Sequence, residues 1–236
     1  MLRFVFVIVI SIPFIIALYA RSLDITLHEE RYTEEKRYHI ARKICNRIRI
    51  NGFIKTRIYG VENLPKAGGY VMYPNHQGKY DAVGIIYGHS KPCTLVMDNE
   101  RAGIPIMKPF LHLIDGRKLD KSDMKSQAKT IQNIVKEVKE GRRYIIFPEG
   151  GYDHNHNSVQ DFMSGSFKCA TRSKAPIVPV ALIDSYKPFE LNSLKPVTTQ
   201  VHFLEPLYYD DYKDMTTEEI ATLVRGRIVN QIHKYA

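Results

Sequence analysis

The sequence predicts an α/β fold: one domain with a central β-sheet flanked by helices, preceded by an amino-terminal membrane-anchoring helix and an amphipathic helix. Three observations carry that expectation. From about residue 69 the chain alternates short apolar runs with stretches of helical periodicity, the order of elements that builds a sheet covered by helices. Its 236 residues fit one domain of ordinary size plus an appendage, and a 44% hydrophobic content supplies a sizeable core. No internal repeat, low-complexity tract or Pro/Gly-rich linker divides the body.

The first element lies in "MLRFVFVIVISIPFIIALYARS", an almost uninterrupted apolar run from Phe4 to Ala20 fenced by Arg3 and Arg21. As one helix the run is about 25 Å long at 1.5 Å per residue, slightly short of a hydrocarbon core of roughly 30 Å. Snorkelling arginines and slight bilayer thinning close that gap. A cleaved signal peptide is the rival reading, but cleavage before Arg21 puts Leu18 and Ala20 where two small residues are wanted. Residues 1–22 are therefore expected to anchor the chain. Arg21, Arg31, Lys36, Arg37, Arg42, Lys43, Arg47 and Arg49 follow the segment and only Arg3 and the terminal amine precede it, which places the body on the cytoplasmic side.

Residues 23–55 hold the second element. Within "TEEKRYHIARKICNRIRI" Ile40, Ile44 and Ile48 recur every fourth residue on one helical face, with basic side chains around them. The pattern fits a helix covering its own domain and equally one lying at a lipid surface, where each Lys or Arg adds about 1 kcal/mol from anionic headgroups.

Residues 56–236 form the body. Strands are expected at Tyr70–Tyr73, Thr94–Met97, Tyr144–Phe147, Ile177–Ile183 and Gln200–Leu204. Ala128, Ile131, Ile134, Val135 and Val138 fall at helical spacing, with Ser122 as the predicted cap and Gly141 as the stop. Thr216 and Glu219 form a capping box ahead of a final helix carrying Ile220, Leu223, Val224, Ile228 and Ile232. Residues 150–165 read as a long loop, and loops of that size in a compact domain are often functional.

The formal net charge of +9 calls for an anionic partner, and nucleic acid, acidic lipid and phosphorylated small molecules all qualify. No motif interleaving aromatic and basic residues supports nucleic acid. Cys45, Cys93 and Cys169 are too few and too scattered for a disulfide framework, and no Cys-x-x-Cys is present; a reducing compartment follows.

Chemistry concentrates in two places. In "PNHQGKYDAV" His76 follows a predicted strand and Asp81 opens a predicted helix, so a turn can bring them together where a continuous helix would set them about 140° apart. Asp81 would then hold one ring nitrogen of His76 and leave the other free to take a proton. An N-cap aspartate beside a loop histidine gives the same letters. The same spacing recurs at His156 and Asp161, without a preceding strand, and reads as coincidence; Asp153, His154 and His156 make only a weak metal site. The second place is "YIIFPEGG", a strand ending in Pro-Glu-Gly-Gly, where a carboxylate and two glycines build a binding edge or simply a tight turn.

In combination, Asn-His-x-x-x-x-Asp, then Phe-Pro-Glu-Gly about seventy residues on, then "APIVPVAL", the chain resembles the glycerophospholipid acyltransferases, and most closely the 1-acylglycerol-3-phosphate acyltransferase family, from about Gly60 to Leu207. The resemblance implies an acyltransferase domain over residues 56–236 in which His76 is the general base and Asp81 its orienter. It implies substrate-binding or turn-shaping roles for Asn75, Gln77, Gly78, Phe147, Pro148, Glu149, Gly150 and Pro179. In the family a block between the two motifs ends in an arginine that helps hold the acceptor phosphate; "GRKLDKSD" resembles it, with Lys121 at that place and Arg117 as a second candidate. Gly151-Tyr152 stands where Thr-Arg is usual, so two customary arginines are missing and the acceptor headgroup is left open. The implied partners are membrane lipid, a lysophospholipid acceptor, foremost lysophosphatidic acid, and acyl-CoA or acyl carrier protein as donor. No metal or redox cofactor is implied, and no nucleic acid. A metal-dependent hydrolase using the same His/Asp cluster and a non-enzymatic basic lipid- or nucleic-acid-binding protein are the alternatives.

Overall fold

The structure, a computed structural model, describes residues 2–120 and 122–236, apart from the side chain of Glu29. Its core is a seven-stranded sheet in the order β1-β7-β6-β2-β5-β3-β4. The strands are β1 (Ile54–Tyr59), β2 (Tyr70–Pro74), β3 (Thr94–Asp98), β4 (Arg117–Leu119), β5 (Arg143–Ile145), β6 (Ile177–Ile183) and β7 (Val197–Phe203). Neighbours run parallel except β6 and β7. The central strands are buried on both faces, as a sheet covered by helices on each side requires: all five residues of β2 and all seven of β6 are out of solvent.

The pleat sorts the strand side chains between two cores. Tyr70, Met72, Ile145, Val178, Val180 and Leu182 face one core, shared with Ile44 of α3 (Glu34–Asn51), Ile85 of α4 (Asp81–Gly88) and Phe110 of α6 (Met107–Leu113). Val71, Tyr73, Tyr144, Ile177, Ala181 and Ile183 face the other, against α7 (Met124–Lys139), α8 (Lys168–Ser173) and α11 (Thr217–Tyr235). Helix α11 starts with the predicted capping box, Thr216 and Glu219 each satisfying the other's backbone amide. In α7 the cap is Asp123, whose carboxylate accepts from the amide of Lys125, and not Ser122, which turns back onto Asp120.

The amino-terminal run does not form one helix. It breaks at Ser11 into α1 (Leu2–Ile10) and α2 (Ile12–Leu27), bent by 61°, with Pro13 in the first turn of α2. No single helix among the described residues is long and apolar enough to cross a membrane. Arg3 is not a snorkelling flank. It is fully buried and donates to the carbonyls of Lys187, Pro188 and Lys195, clamping α1 to α9 (Lys187–Glu190). Leu2, Val5, Val9, Ile10, Ile12, Phe14, Ile16, Leu23 and Leu27 remain exposed along the pair. The isoleucine stripe of α3 faces the domain: Ile44 is buried in the core and Ile40 and Ile48 lie against it, while Lys36, Lys43 and Arg47 look outward.

Candidate active site

Beyond β2 the chain leaves the sheet at its carboxyl edge, the place where parallel α/β sheets hold their ligands. Residues 75–80 make a tight turn into α4, whose first residue is Asp81. The turn brings His76 Nδ1 to 2.7 Å from Asp81 Oδ2. That oxygen also accepts the backbone N–H groups of Gln77 at 2.6 Å and Gly78 at 2.9 Å. A carboxylate taking these donors fixes the proton on Nδ1 and leaves the lone pair on Nε2. The Asp81 side chain is 1% exposed and that of His76 12%, so the base reaches solvent and its partner does not. Nε2 has no protein partner among the described residues.

Of the two roles expected of Asn75 and Gln77, substrate contact or shaping the turn, the structure shows the second: both are fully buried and hold the turn. Asn75 exchanges two hydrogen bonds with the backbone of Leu182. Gln77 donates to the Leu182 carbonyl and accepts from the amide of Ser185. These two amides peg the catalytic-looking turn to the end of β6. Gly78 contributes its amide to Asp81.

The second motif arrives from β5. The Phe147 ring stacks on that of His76 with centroids 4.2 Å apart. The Phe147–Gly150 segment closes as a turn, Gly150 N–H donating to the Phe147 carbonyl, with Gly150 at φ +71° in the left-handed region. Pro148 accepts from Met163 through its carbonyl. Glu149 is also a clamp: one oxygen accepts His76 N–H at 2.8 Å, the other accepts Gln160 N–H and the side-chain amide of Asn155. Burial pushes its carboxyl up to about 7, against the pull of the amides donated by His76 and Gln160.

Two predicted substrate-binding residues stand elsewhere. Pro179 is buried in the middle of β6 opposite Tyr73, inside the sheet rather than at its edge. Arg117 opens β4, at the end of that strand away from the carboxyl edge. Both Nη atoms donate to Asp115, and Nε and Nη2 donate to Glu137 at 3.1 and 2.6 Å, so its fork is already filled by carboxylates. Lys121 lies outside the described residues.

The long loop after Gly150 wraps the site, and sequence reasoning missed most of what it contributes. Tyr152 meets the His76 ring edge-on, centroids 4.7 Å apart. Asn155 donates to the His76 carbonyl, and Asn157 joins Gln77 to Asp184. The only signal was compositional: asparagines crowd this loop, and asparagine side chains commonly tie loop backbones. Of the loop histidines, His156 meets Glu190 at 2.7 Å and not Asp161, and His154 meets the same carboxylate at 3.1 Å. Among the described residues no group of three or more His, Cys, Asp or Glu side chains is arranged to hold a metal. All three cysteines are buried free thiols; burial pushes Cys93 and Cys169 up to about 12 and Cys45 higher still, so none is a poised nucleophile.

A base without a neighbouring nucleophile suits direct attack by a substrate hydroxyl. Comparison with known proteins gives the family. The model of the acyltransferase family matches residues 55–183. A 1-acyl-sn-glycerol-3-phosphate acyltransferase of Borreliella burgdorferi is 26% identical over 184 residues, 76% of this chain and 72% of the relative. The enzyme of that description from Saccharomyces cerevisiae is 28% identical over 131 residues, 55% of this chain but only 43% of its own. The crystal structure of the 1-acyl-sn-glycerophosphate acyltransferase of Thermotoga maritima superposes with a TM-score of 0.79 at 19% identity, covering 99% of this chain and 94% of that one, which establishes the shared fold.

Proposed function

The chain belongs to the acyltransferase family, and from that premise we propose that it moves a fatty acyl group from an acyl thioester to the free hydroxyl of a lysophospholipid, lysophosphatidic acid being the favoured acceptor. The observation that carries the reading is the His76–Asp81 contact at the carboxyl edge of the sheet, with Nε2 left open. Relatives described as 1-acyl-sn-glycerol-3-phosphate acyltransferases support the acceptor class.

In this mechanism Nε2 of His76 takes the hydroxyl proton as the acceptor oxygen attacks the thioester carbonyl. The tetrahedral intermediate collapses with loss of the thiolate, which recovers the proton from the imidazolium. One ester forms, one thioester breaks, and the histidine returns to its starting state. Asp81 keeps Nδ1 protonated and stabilises the imidazolium, while Glu149, Asn155, Asn75 and Gln77 hold the turn that aims the ring. No acyl-enzyme is formed. The exposed apolar ridge of α1 and α2 would seat the protein on the bilayer that holds the acceptor.

The test is an assay of purified protein in detergent with labelled acyl-CoA and acyl carrier protein against a panel of lyso-acceptors. A diacyl product from lysophosphatidic acid with stoichiometric thiol release supports the proposal. Thioester hydrolysis with no acceptor acylated would refute it.

A further inference from the structure

The sequence lacks arginines at the two places where the family resemblance expects them, and Arg117 is engaged by Asp115 and Glu137. A cation reaches the site from outside the motifs. Arg101 lies on α5 (Asn99–Ala102), the turn that follows the carboxyl end of β3. Its guanidinium carbon stands 5.3 Å from the centroid of the Tyr152 ring, and that ring is the one set edge-on to His76 at 4.7 Å. The two separations put the cation within about 10 Å of the His76 ring.

The orientation of Arg101 is constrained from two sides. Asp98 accepts the Arg101 backbone N–H through one oxygen at 2.9 Å, and its other oxygen lies 3.5 Å from Nε. Tyr152 supplies a flat surface for the guanidinium. Both Nη atoms have no protein partner among the described residues, and the side chain is 46% exposed. A guanidinium held by its face and by Nε presents its paired Nη–H groups outward, the geometry that grips a phosphate through two parallel hydrogen bonds. In a glycerol-based acceptor the phosphate hangs on the carbon next to the one bearing the reactive hydroxyl. One such molecule can offer its hydroxyl to His76 and its phosphate to this side of Tyr152.

Building on the acyl-transfer reading, we propose that Arg101, supported by Tyr152, binds the terminal phosphate of the acceptor and selects phosphomonoester lysolipids. The tyrosine that replaces an arginine in the second motif is then the platform for an arginine supplied by a different corner of the fold. Arg101 does not touch the reacting atoms, so its loss acts on acceptor binding rather than on the proton transfer.

The experiment compares steady-state constants of the full chain in detergent micelles for wild type, Arg101→Ala, Arg101→Lys and Tyr152→Ala. For Arg101→Ala, KM for lysophosphatidic acid should rise about 10- to 100-fold, the loss expected for a charge-assisted pair. kcat and the KM for the acyl donor should stay within about three-fold. Arg101→Lys should recover part of the affinity, because it keeps the charge and loses the fork. Tyr152→Ala should raise the acceptor KM in the same direction. An unchanged acceptor KM in Arg101→Ala overturns the assignment while leaving acyl transfer standing, and so does a rise confined to the donor KM. A wild-type enzyme that acylates other lysophospholipids but no phosphomonoester overturns the assignment alone, and one that acylates no acceptor overturns both.

Discussion

Asp81→Asn separates the charge of the carboxylate from its shape. Asp81 Oδ2 accepts three N–H groups, while Oδ1 is buried without a partner. An asparagine that places its oxygen where Oδ2 stands keeps all three donors and puts its NH2 where no bond existed. The fold should therefore survive, at a cost below about 2 kcal/mol for one extra buried donor. Asp81→Ala would instead strand three buried donors at about 1–3 kcal/mol each, and would confuse stability with chemistry. Catalysis should suffer far more than folding. With Nδ1 and Oδ2 2.7 Å apart, the imidazolium and carboxylate charges are centred at roughly 4 Å, where an effective dielectric of about 20 gives an attraction of about 4 kcal/mol. The amide returns only part of that, so kcat should fall about 10²- to 10³-fold. The assay is kcat for acyl transfer at saturating substrates, with thermal unfolding of each variant alongside. A variant that melts with the wild type and keeps kcat within three-fold would refute the orienting role and return the pair to a cap beside a loop residue.

Two further predictions concern the clamp under His76. Burial raises the Glu149 carboxyl from 4.5 to about 7, so the folded chain holds a proton that the unfolded chain releases between those values. Stability should then decline as pH rises from about 4.5 through about 7, by up to about 3 kcal/mol, and Glu149→Gln should flatten that decline; denaturant midpoints at pH 5 and 8 that fall equally in both proteins would contradict it. Gly150→Ala forces a side chain into φ +71° and should cost about 1–2 kcal/mol, lowering Tm by a few degrees and activity with it, because the same turn aims Glu149; an unchanged Tm would show that the strain is absent.

The parts of the fold legible in the sequence are those where one physical pattern dominates. Ile177–Ile183 is apolar throughout because it is covered on both faces, and the Thr216/Glu219 box marks a helix start by itself. Strand β1 was missed although Lys55 and Arg57 alternate with Ile54, Thr56 and Ile58, the pattern of an edge strand with one apolar face. The three residues of β4 carry no pattern at all. The amino-terminal run shows the limit of composition: hydropathy cannot see the break at Ser11, nor that Arg3 finds three backbone carbonyls 184 to 192 residues away. In the site, spacing between a preceding strand and a following helix pointed to the pairing of His76 with Asp81, whereas the same spacing without a strand, at His156 and Asp161, makes no pair. Whether Glu149, Asn75 and Gln77 touch substrate or tie the turn was left open by the motif, which shows which residues matter and not which way their side chains face; all three make ties within the protein. Arg101 was invisible for the opposite reason, lying in no motif and reaching the site only through the tertiary placement of Tyr152.

The mechanism turns on the assignment of His76 as the base for direct transfer between thioester and hydroxyl. It is tested most directly by the rate at which His76→Ala passes a labelled acyl group from acyl thioester to lysophosphatidic acid, measured against wild type under matched saturating conditions. A loss of at least about 10²- to 10⁴-fold is expected, the range general-base help supplies, with the unfolding midpoint retained. A rate within a few-fold of wild type would contradict it.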